Sequence, residues 1–390
     1  MPLRRNQNIK IFSSDPTDRV TRILYTPGMV NNVVHETQIP GGFWTFEFQR
    51  AMTDAEYWDF RLNYLIARLD FEVRAGKVAW QGRIEDIRGE PRNPKIRARG
   101  YYSLFTDMTT NNATHTREWN TTPDAIVKDI LSNGFHADMK ASFNSDVSNI
   151  DSITTSILLE PDNAEQEHFN YWRVLTDDER GLSVYSEGTD NQYVDLAVWD
   201  DRKVYLKQRG SLTDINWRSY RQMPPGGVTS LPFKVSWQDV YNAAAATYGN
   251  SRTKDSFTSD GDSINKYGRR EVMAPYLGQE TNSTDAGRRK SGIRQNAADP
   301  QLQTDSITLN RVFDNQGNET SLCEVRAGEV LNIPDMIPSS SGLSVNLDAL
   351  RTFVIARTTC NHSRGELIIR PDRKSKGLNA LLARAHLSSI

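Results

Sequence analysis

The stretch that decides the fold is 232-PFKVSWQDVYNAAAATYG-249, which is followed by a polar loop and then by 259-SDGDSINKYGRR-270. At its start Phe233, Val235 and Trp237 alternate with polar residues, and this period of two predicts a half-buried strand. The Asp-Gly-Asp-Ser cluster at 260–263 is typical of a turn. The stretch therefore predicts an aromatic strand, a small-residue segment and a turn that leads into Tyr-Gly-Arg.

The spacing of these residues resembles that of the baseplate hub, or tail-tip, proteins of tailed bacteriophages. The similarity lies in V-x-N-x-x-x-x-x-Y from Val240 to Tyr248 and in D-x-x-S-I-x-x-Y-G-x-R from Asp260 to Arg270. Further similar runs are W-x-G-x-I-x-x-I at 80–87, I-x-A-x-G-Y-x-x-L at 96–104, and G-E-V-L-N-I, R-T-F-V-I and G-E-L-I-I within 328–369. The resemblance covers most of the chain, loosely.

The segment 239–248 has two interpretations. Asp239 as a helix cap, four alanines at 243–246 and Gly249 just past the end favour a short helix. The resemblance instead implies a strand whose small residues let another backbone lie close. Because helix propensity is a weak prior that sheet context often overrides, we expect the strand.

The resemblance implies a mainly β (α+β) fold with two tail-tube-like β-barrel domains, an inserted α/β domain and short helices. We expect a first barrel at 1–105 that is completed by strands around 182–222, and an inserted α/β domain at 106–181. A second barrel is expected at 228–376 with a polar helical insertion at 250–300, followed by a C-terminal helix or tail at 377–390. The boundary between the halves is placed at 223–228, where two prolines and two glycines disfavour a regular ladder.

Local patterns predict several elements. Thr53 and Glu56 form a capping box before a helix with a predicted buried stripe, and Thr122-Pro123 begins a second helix that stops at Gly134. The first stripe is Trp58, Leu62, Leu65 and Leu69, and the second contains Ile126, Val127, Ile130 and Leu131. A hairpin is expected at 69–84, strands at 194–199, 203–206, 323–325, 330–333, 353–356 and 366–369, and a solvent-facing helix at 284–299.

Composition restricts the class of protein. The 390 residues carry a net charge of −2, and the pI is near 6.3, so no overall basic surface for nucleic acid is expected. The mean hydropathy of −0.61 is low, which indicates a chain that exposes much polar surface or completes its core against partner subunits. The chain shows no signal-peptide pattern or membrane-span run, and its two distant cysteines form no disulfide framework. Synthesis in a reducing host cytoplasm is expected, and a bridge between the cysteines stays open.

Candidate chemistry is sparse. Cys360 and His362 lie two apart in an expected loop, but a metal site there needs two ligands that the sequence does not identify, so no metal, cofactor or catalytic residue is predicted. The Asp260 and Asp262 loop lacks the spacing of a calcium site. Acidic clusters at 177–179 and 200–201 are expected to be solvated turn residues, although a glycosidase pair among them stays open. The basic clusters are Arg288-Arg289-Lys290 and Arg370, Arg373, Lys374 and Lys376, for which solvated faces, nucleic-acid contacts or inter-subunit ion pairs are the alternatives.

The resemblance implies a structural virion protein. Such a hub would be a homotrimer that caps or continues the tail tube, adapts its six-fold symmetry to a three-fold spike or fibre, and forms part of the DNA conduit. Expected partners are the tail tube or a distal tail protein, the central spike or fibre, and a tape-measure protein. The alternatives are a tail-associated cell-wall hydrolase and a carbohydrate-binding adhesin.

Overall fold

The computed structural model confirms a mainly β protein. It describes residues 8–12, 23–25, 30–62, 70–75, 77–107, 119–133, 143–153, 157–159, 171–176, 194–208, 216–222, 225–232, 234–236, 240–249, 251–274, 283, 286–287, 290–291, 294, 298, 301–336 and 351–372.

The strands of the first part of the chain are β1 (Asn8–Phe12), β2 (Ile23–Tyr25), β3 (Asn31–Gln38), β4 (Gly41–Gln49), β5 (Asp70–Ala75), β6 (Lys77–Arg88), β7 (Lys95–Gly100), β8 (Trp119–Thr121), β9 (Ile157–Leu159), β10 (Val194–Val198), β11 (Val204–Gln208), β12 (Asn216–Arg218) and β13 (Val228–Ser230). Those of the remainder are β14 (Lys234–Ser236), β15 (Ala243–Ala245), β16 (Thr247–Tyr248), β17 (Thr253–Lys254), β18 (Thr258–Ser259), β19 (Glu271–Met273), β20 (Gln301–Gln303), β21 (Ile307–Leu309), β22 (Val312–Phe313), β23 (Glu319–Thr320), β24 (Val330–Asn332), β25 (Thr352–Asn361) and β26 (Glu366–Pro371). The α-helices are α1 (Asp54–Phe60), α2 (Pro123–Asn133), α3 (Tyr171–Thr176) and α4 (Gly261–Tyr267).

One sheet contains 17 of these strands, and a continuous ladder runs through it. Its order is β2–β1–β5–β6–β7–β4–β3–β25–β26–β21–β13, and every one of these neighbours is antiparallel. A branch β24–β12–β22–β23 begins at the first residues of β25, and β10 with β11 joins the start of β4. Among the described strands the ladder does not close into a barrel.

Two lobes follow from this order. The first lobe consists of β1–β7 with β10 and β11, and its core is packed around Phe43, Phe46, Trp80 and Trp199. The second lobe consists of β12, β13 and β21–β26, with a core that includes Trp217, Leu331 and Ile369. β12 precedes the predicted boundary at 223–228 and pairs with β24 of the second lobe. The domain limits expected from the sequence stay predictions.

A third core lies under the first lobe. The 3-10 helix Tyr101–Thr106 packs its aromatic residues against α2, where Ile126, Val127 and Ile130 are fully buried, as the sequence predicted. Trp119 of β8 and Tyr171 of α3 belong to the same core. The expected C-terminal helix at 377–385 lies outside the described residues.

The first helix is only partly as expected. The capping box at Thr53 and Glu56 is present, with Thr53 N–H donating to Glu56 Oε2 at 2.8 Å and Glu56 N–H to Thr53 Oγ1 at 3.3 Å. The predicted buried stripe is wrong where it can be tested: Tyr57 and Phe60 are buried, whereas Trp58 is 52% exposed and Leu62 is 57% exposed. Leu65 and Leu69 lie outside the described residues.

The deciding stretch forms strands. β14 pairs with β20, and the alanine segment is β15, which lies between β18 and parallel β19 with all three alanines fully buried. The turn expected at 260–263 is instead the start of α4, because Asp260 accepts a hydrogen bond from Ser263 N–H at 3.0 Å and so caps the helix. The described residues of 284–294 are helical and Ala298 lies in a bend, but Ala286 is fully buried, so that helix does not simply face solvent.

Candidate functional site at the junction of the two lobes

The two lobes meet where β3 pairs with β25. Five residue pairs form this ladder, from Arg357 opposite Gln38 to Asn361 opposite Val34. Because side chains alternate along a strand, His35, Thr37, Thr358 and Cys360 share the buried face, while Glu36, Arg357 and Thr359 share the other. The junction therefore carries one polar face and one buried face.

Glu36 is the centre of the polar face. Arg357 Nη2 donates to both of its carboxylate oxygens at 2.8 and 2.7 Å, Thr45 Oγ1 donates at 2.8 Å and Thr359 Oγ1 at 3.2 Å. Thr45 belongs to the first lobe and Arg357 and Thr359 to the second. One carboxylate thus connects three strands of both lobes with charge-assisted hydrogen bonds.

Glu36→Gln is expected to lower the free energy of unfolding by about 1–3 kcal/mol, because it removes the charge that pairs with half-buried Arg357 and replaces one acceptor oxygen with a donor. Urea denaturation measures the change. The matched control is Glu47→Gln on the neighbouring strand, whose ion pair with half-exposed Lys95 is worth less than about 1 kcal/mol. Equal losses in the two variants would contradict a special role for Glu36.

The buried face holds a group of four side chains that we name the His/Cys cluster: His35, Cys323, Cys360 and His362. His35 lies directly opposite Cys360 in the ladder, and the N–H of His362 donates to Val33 O at 3.0 Å, which continues the ladder by one residue. Cys323 comes from the 3-10 helix Leu322–Glu324. The sequence had predicted a strand at 323–325 and a loop at Cys360, and both expectations are wrong.

Within the His/Cys cluster the polar atoms are close together. His35 Nδ1 lies 2.7 Å from His362 Nε2, and the two sulfur atoms lie 3.0 Å apart. Cys323 Sγ lies 3.5 Å from Nδ1 and 3.7 Å from Nε2 of His362. His35 Nε2 is buried and has no hydrogen-bond partner among the described residues, a situation that costs about 1–3 kcal/mol.

Burial and mutual contact change the protonation of the cluster. Desolvation, with His362 and Arg326 nearby, lowers the pKa of His35 well below its ordinary value, so this ring is neutral at pH 7. The hydrogen bond with Cys360 lowers the pKa of Cys323, and the same contact together with burial raises the pKa of Cys360. The neutral form of an imidazole is the one that binds a metal ion.

Aromatic packing fixes the cluster from the first lobe. The ring of Phe46 is parallel to that of His35 at 6.3 Å between centroids, and it lies 6.4 Å from that of His362. Two register positions away, Thr37 Oγ1 and Thr358 Oγ1 share a 2.6 Å hydrogen bond, and Ala327 N–H donates to Thr37 Oγ1 at 2.8 Å. The cluster is therefore surrounded by ordered, buried structure.

A second connection between the lobes is made by Arg326. Its guanidinium lies 5.0 Å from the ring of Phe43 and 5.2 Å from that of Trp199, and its nitrogen atoms lie 3.2 and 3.5 Å from the Asp200 carboxylate. Asp200 was expected to be a solvated turn residue. The turn is present, with Asp201 at φ 56°, but Asp200 forms an ion pair with Arg326 of the second lobe.

The structure places the other candidate residues away from the junction. Asp260 caps α4, and Lys290 is buried in an ion pair with Asp255 at 2.6 Å, so it does not belong to a solvated basic face. The acidic cluster at 177–179 and the basic residues Arg288, Arg289, Arg373, Lys374 and Lys376 lie outside the described residues.

Sequence reasoning noticed Cys360 and His362 but missed His35 and Cys323. His35 had a usable signal, because it alternates with Val33 and Thr37 on what proves to be the buried face of β3. Cys323 had none, since its position depends on the packing of a 3-10 helix that the sequence did not predict.

The described surface also exposes one apolar pair. Trp58 and Leu62 are four residues apart at the end of α1, and Arg61 lies over the Trp58 ring at 5.6 Å. An exposed tryptophan beside an exposed leucine is more typical of an interface than of a solvated helix face. Within the described residues, no helix has the length and apolar character needed to cross a membrane.

Comparison with known proteins shows the fold. No protein-family model and no curated protein matches the chain. The solved 43 kDa tail protein of prophage MuSo2 from Shewanella oneidensis matches with a TM-score of 0.55 and 14% identity, over 95% of this chain and 99% of that one. The tail protein from Neisseria meningitidis MC58 has a TM-score of 0.54 and 10% identity, over 94% and 97% of the two chains.

A third solved structure agrees with these two. Prophage tail protein gp18 from Listeria monocytogenes EGD-e matches with a TM-score of 0.53 and 13% identity, over 97% of this chain and 98% of that one. The expected resemblance to phage tail proteins is confirmed at the level of the fold. The match extends over nearly the whole length of every one of these three chains.

Proposed function

We propose that this chain is a structural subunit of a phage tail, and within the tail the hub at its distal end. The observation that supports the proposal is the full-length likeness in fold to prophage tail proteins from three bacteria. The subunit assembles as a trimer, in which the two lobes of every copy act as tube-like domains around a central opening. Six lobes then continue a six-fold tail tube while the assembly keeps three-fold symmetry.

The rigid connection between the lobes supports this geometry. A ring of paired lobes closes only if the angle between the lobes is the same in every copy. The β3–β25 ladder, the Glu36 hydrogen bonds and the Arg326–Asp200 pair all resist rotation of one lobe against the other. The junction is therefore the part of the subunit that sets the symmetry of the ring.

The near-neutral charge suits a conduit. A net charge of −2 over 390 residues offers no overall attraction for DNA, and weak attraction lets the phosphates pass without being held by counterion release. In this role one side of the ring contacts the tail tube or a distal tail protein, and the other side a central spike or fibre, with a tape-measure protein as a further partner. The protein acts in the virion and works without catalysis.

Trp58 and Leu62 are the described apolar residues that we expect to be buried between copies. The variant Trp58→Glu/Leu62→Glu should convert the trimer to monomers, with at least a 100-fold loss of assembly affinity, because two charges would replace a buried apolar contact. Light scattering on purified protein measures it, and three times 44.2 kDa is expected for the parent chain. Met273→Glu, a similar change at an exposed apolar residue of β19, is the control and should leave the mass unchanged.

A cell-wall incubation separates this role from that of a hydrolase. Purified protein should release no soluble fragments from peptidoglycan and should not bind glycans. Turnover of peptidoglycan would contradict the structural role, and glycan binding without turnover would favour an adhesin.

A further inference from the structure

We propose that the His/Cys cluster is a structural zinc site that binds one Zn²⁺ and fastens the two lobes to one another. The inference stands apart from the proposed tail function, since it rests on the positions of four side chains.

The first argument is the kind and number of ligands. Two imidazoles and two thiols, all buried, present ligand atoms that lie within 4.8 Å of one another. Two nitrogen and two sulfur ligands in a tetrahedral arrangement are typical of structural zinc. Because the protein supplies four ligands, no coordination position is left for water or substrate, and the site is closed.

The second argument is distance. With Zn–S bonds of about 2.3 Å and Zn–N bonds of about 2.0 Å, ligand atoms in a tetrahedral site lie ~3.3–3.8 Å apart. The distance of 3.7 Å between Cys323 Sγ and His362 Nε2 is already in that range. The Sγ–Sγ contact of 3.0 Å and the contact of 2.7 Å between the two imidazoles would need to open by less than about 1 Å.

The third argument is that the four side chains are poor hydrogen-bond partners for one another. Two thiols are weak hydrogen-bond partners for two imidazoles. Buried polar groups are otherwise hydrogen-bonded or bound to a metal. A Zn²⁺ with two thiolates is neutral overall, so the Arg326 guanidinium nearby, which pairs with Asp200, does not oppose it.

The position of the His/Cys cluster determines what a bound ion would do. His35 belongs to β3 of the first lobe, whereas Cys360 and His362 lie in and just after β25, and Cys323 lies in the 3-10 helix of the second lobe. One ion would thus connect three segments, of which His35 lies 288 residues before Cys323 and Cys323 lies 37 residues before Cys360. Its binding energy would be available only when the lobes are correctly docked, so it stabilises that arrangement.

A disulfide between Cys323 and Cys360 is the competing chemistry. It would place the sulfurs at about 2.05 Å, whereas both cysteines are free in this structure. A disulfide would also leave two buried imidazoles without a metal. Intact mass distinguishes the two states, because the oxidised chain is lighter by two hydrogens.

The test uses full-length protein without a polyhistidine tag, purified without chelator. Inductively coupled plasma mass spectrometry should find about one zinc per chain, and protein grown with Co²⁺ should show the visible absorption of a tetrahedral cobalt–thiolate site. Removal of the ion by unfolding with chelator and refolding should lower the Tm by roughly 5–10 °C, and added Zn²⁺ should restore it.

The variant Cys323→Ser/Cys360→Ser should reduce bound zinc at least 10-fold. The matched control is Thr37→Val/Thr358→Val, which removes a buried polar pair two register positions away and should lower stability while about one zinc per chain stays bound. Should the serine variant fail to fold, the zinc content and cobalt spectrum of the parent protein decide alone. Three results would overturn the proposal. The parent protein could contain no zinc and take up none when it is added, its intact mass could be lighter by two hydrogens, or a folded serine variant could retain zinc.

Discussion

Gly100→Ala is expected to prevent the first lobe from folding. Gly100 ends β7, and a Cβ built there lies 1.6 Å from the carbonyl oxygen and 2.4 Å from the carbonyl carbon of Phe43. Both atoms are backbone of the central strand β4, so no rotamer change relieves the overlap. The cost should be on the order of 4 kcal/mol or more, because β4 or β7 has to leave its ladder.

The measurement is urea denaturation followed by tryptophan fluorescence, together with the soluble yield. Gly261→Ala is the matched control, since Gly261 begins α4 and a Cβ there meets nothing within 4 Å. That change should leave stability unchanged or raise it by up to about 1 kcal/mol. A Gly100→Ala protein as stable as the parent would show that β4 and β7 are not packed as described.

Trp80→Ala should have the second-largest effect, about 3–5 kcal/mol. Trp80 is fully buried, contacts the rings of Phe43 and Phe46 at 5.9 and 5.3 Å, and donates from its indole N–H to Glu36 O at 3.3 Å. Its loss therefore removes core volume and a hydrogen bond to the junction strand β3. The same packing supports Phe46, whose ring is stacked on His35.

A graded series checks this prediction by thermal and urea unfolding. Trp80→Phe keeps an aromatic ring and should cost about 1–2 kcal/mol, less than half of the alanine change. If the two variants lost equal amounts, the hydrogen bond rather than the core volume would carry the effect. No loss in either variant would contradict the first-lobe core itself.

Local patterns predicted the strands well where the side-chain period was clear. The hairpin of β5 and β6 and the helix α2 lie within a few residues of their predicted limits. The alanine segment shows where propensity alone fails. Asn242 binds Gly268 O at 2.7 Å and accepts from Arg270 N–H at 2.7 Å, so tertiary contacts hold the adjoining alanines as β15 between two other strands.

The junction could not be predicted from sequence alone. His35 and Cys360 are 325 positions apart and become neighbours only through the β3–β25 register. The exposure of Trp58 was likewise unpredictable, because its spacing with Leu62 matches a buried helix face and only the fold shows that Tyr57 and Phe60 occupy the core side. Both failures concern contacts between distant segments, for which a local period carries no information.

A cryo-EM reconstruction of the purified full-length protein tests the hub proposal most directly. The account predicts a closed ring of three copies in which six lobes surround an open channel, with the β3–β25 junction between the two lobes of every copy. A monomer, or an assembly whose lobes enclose no channel, would contradict it.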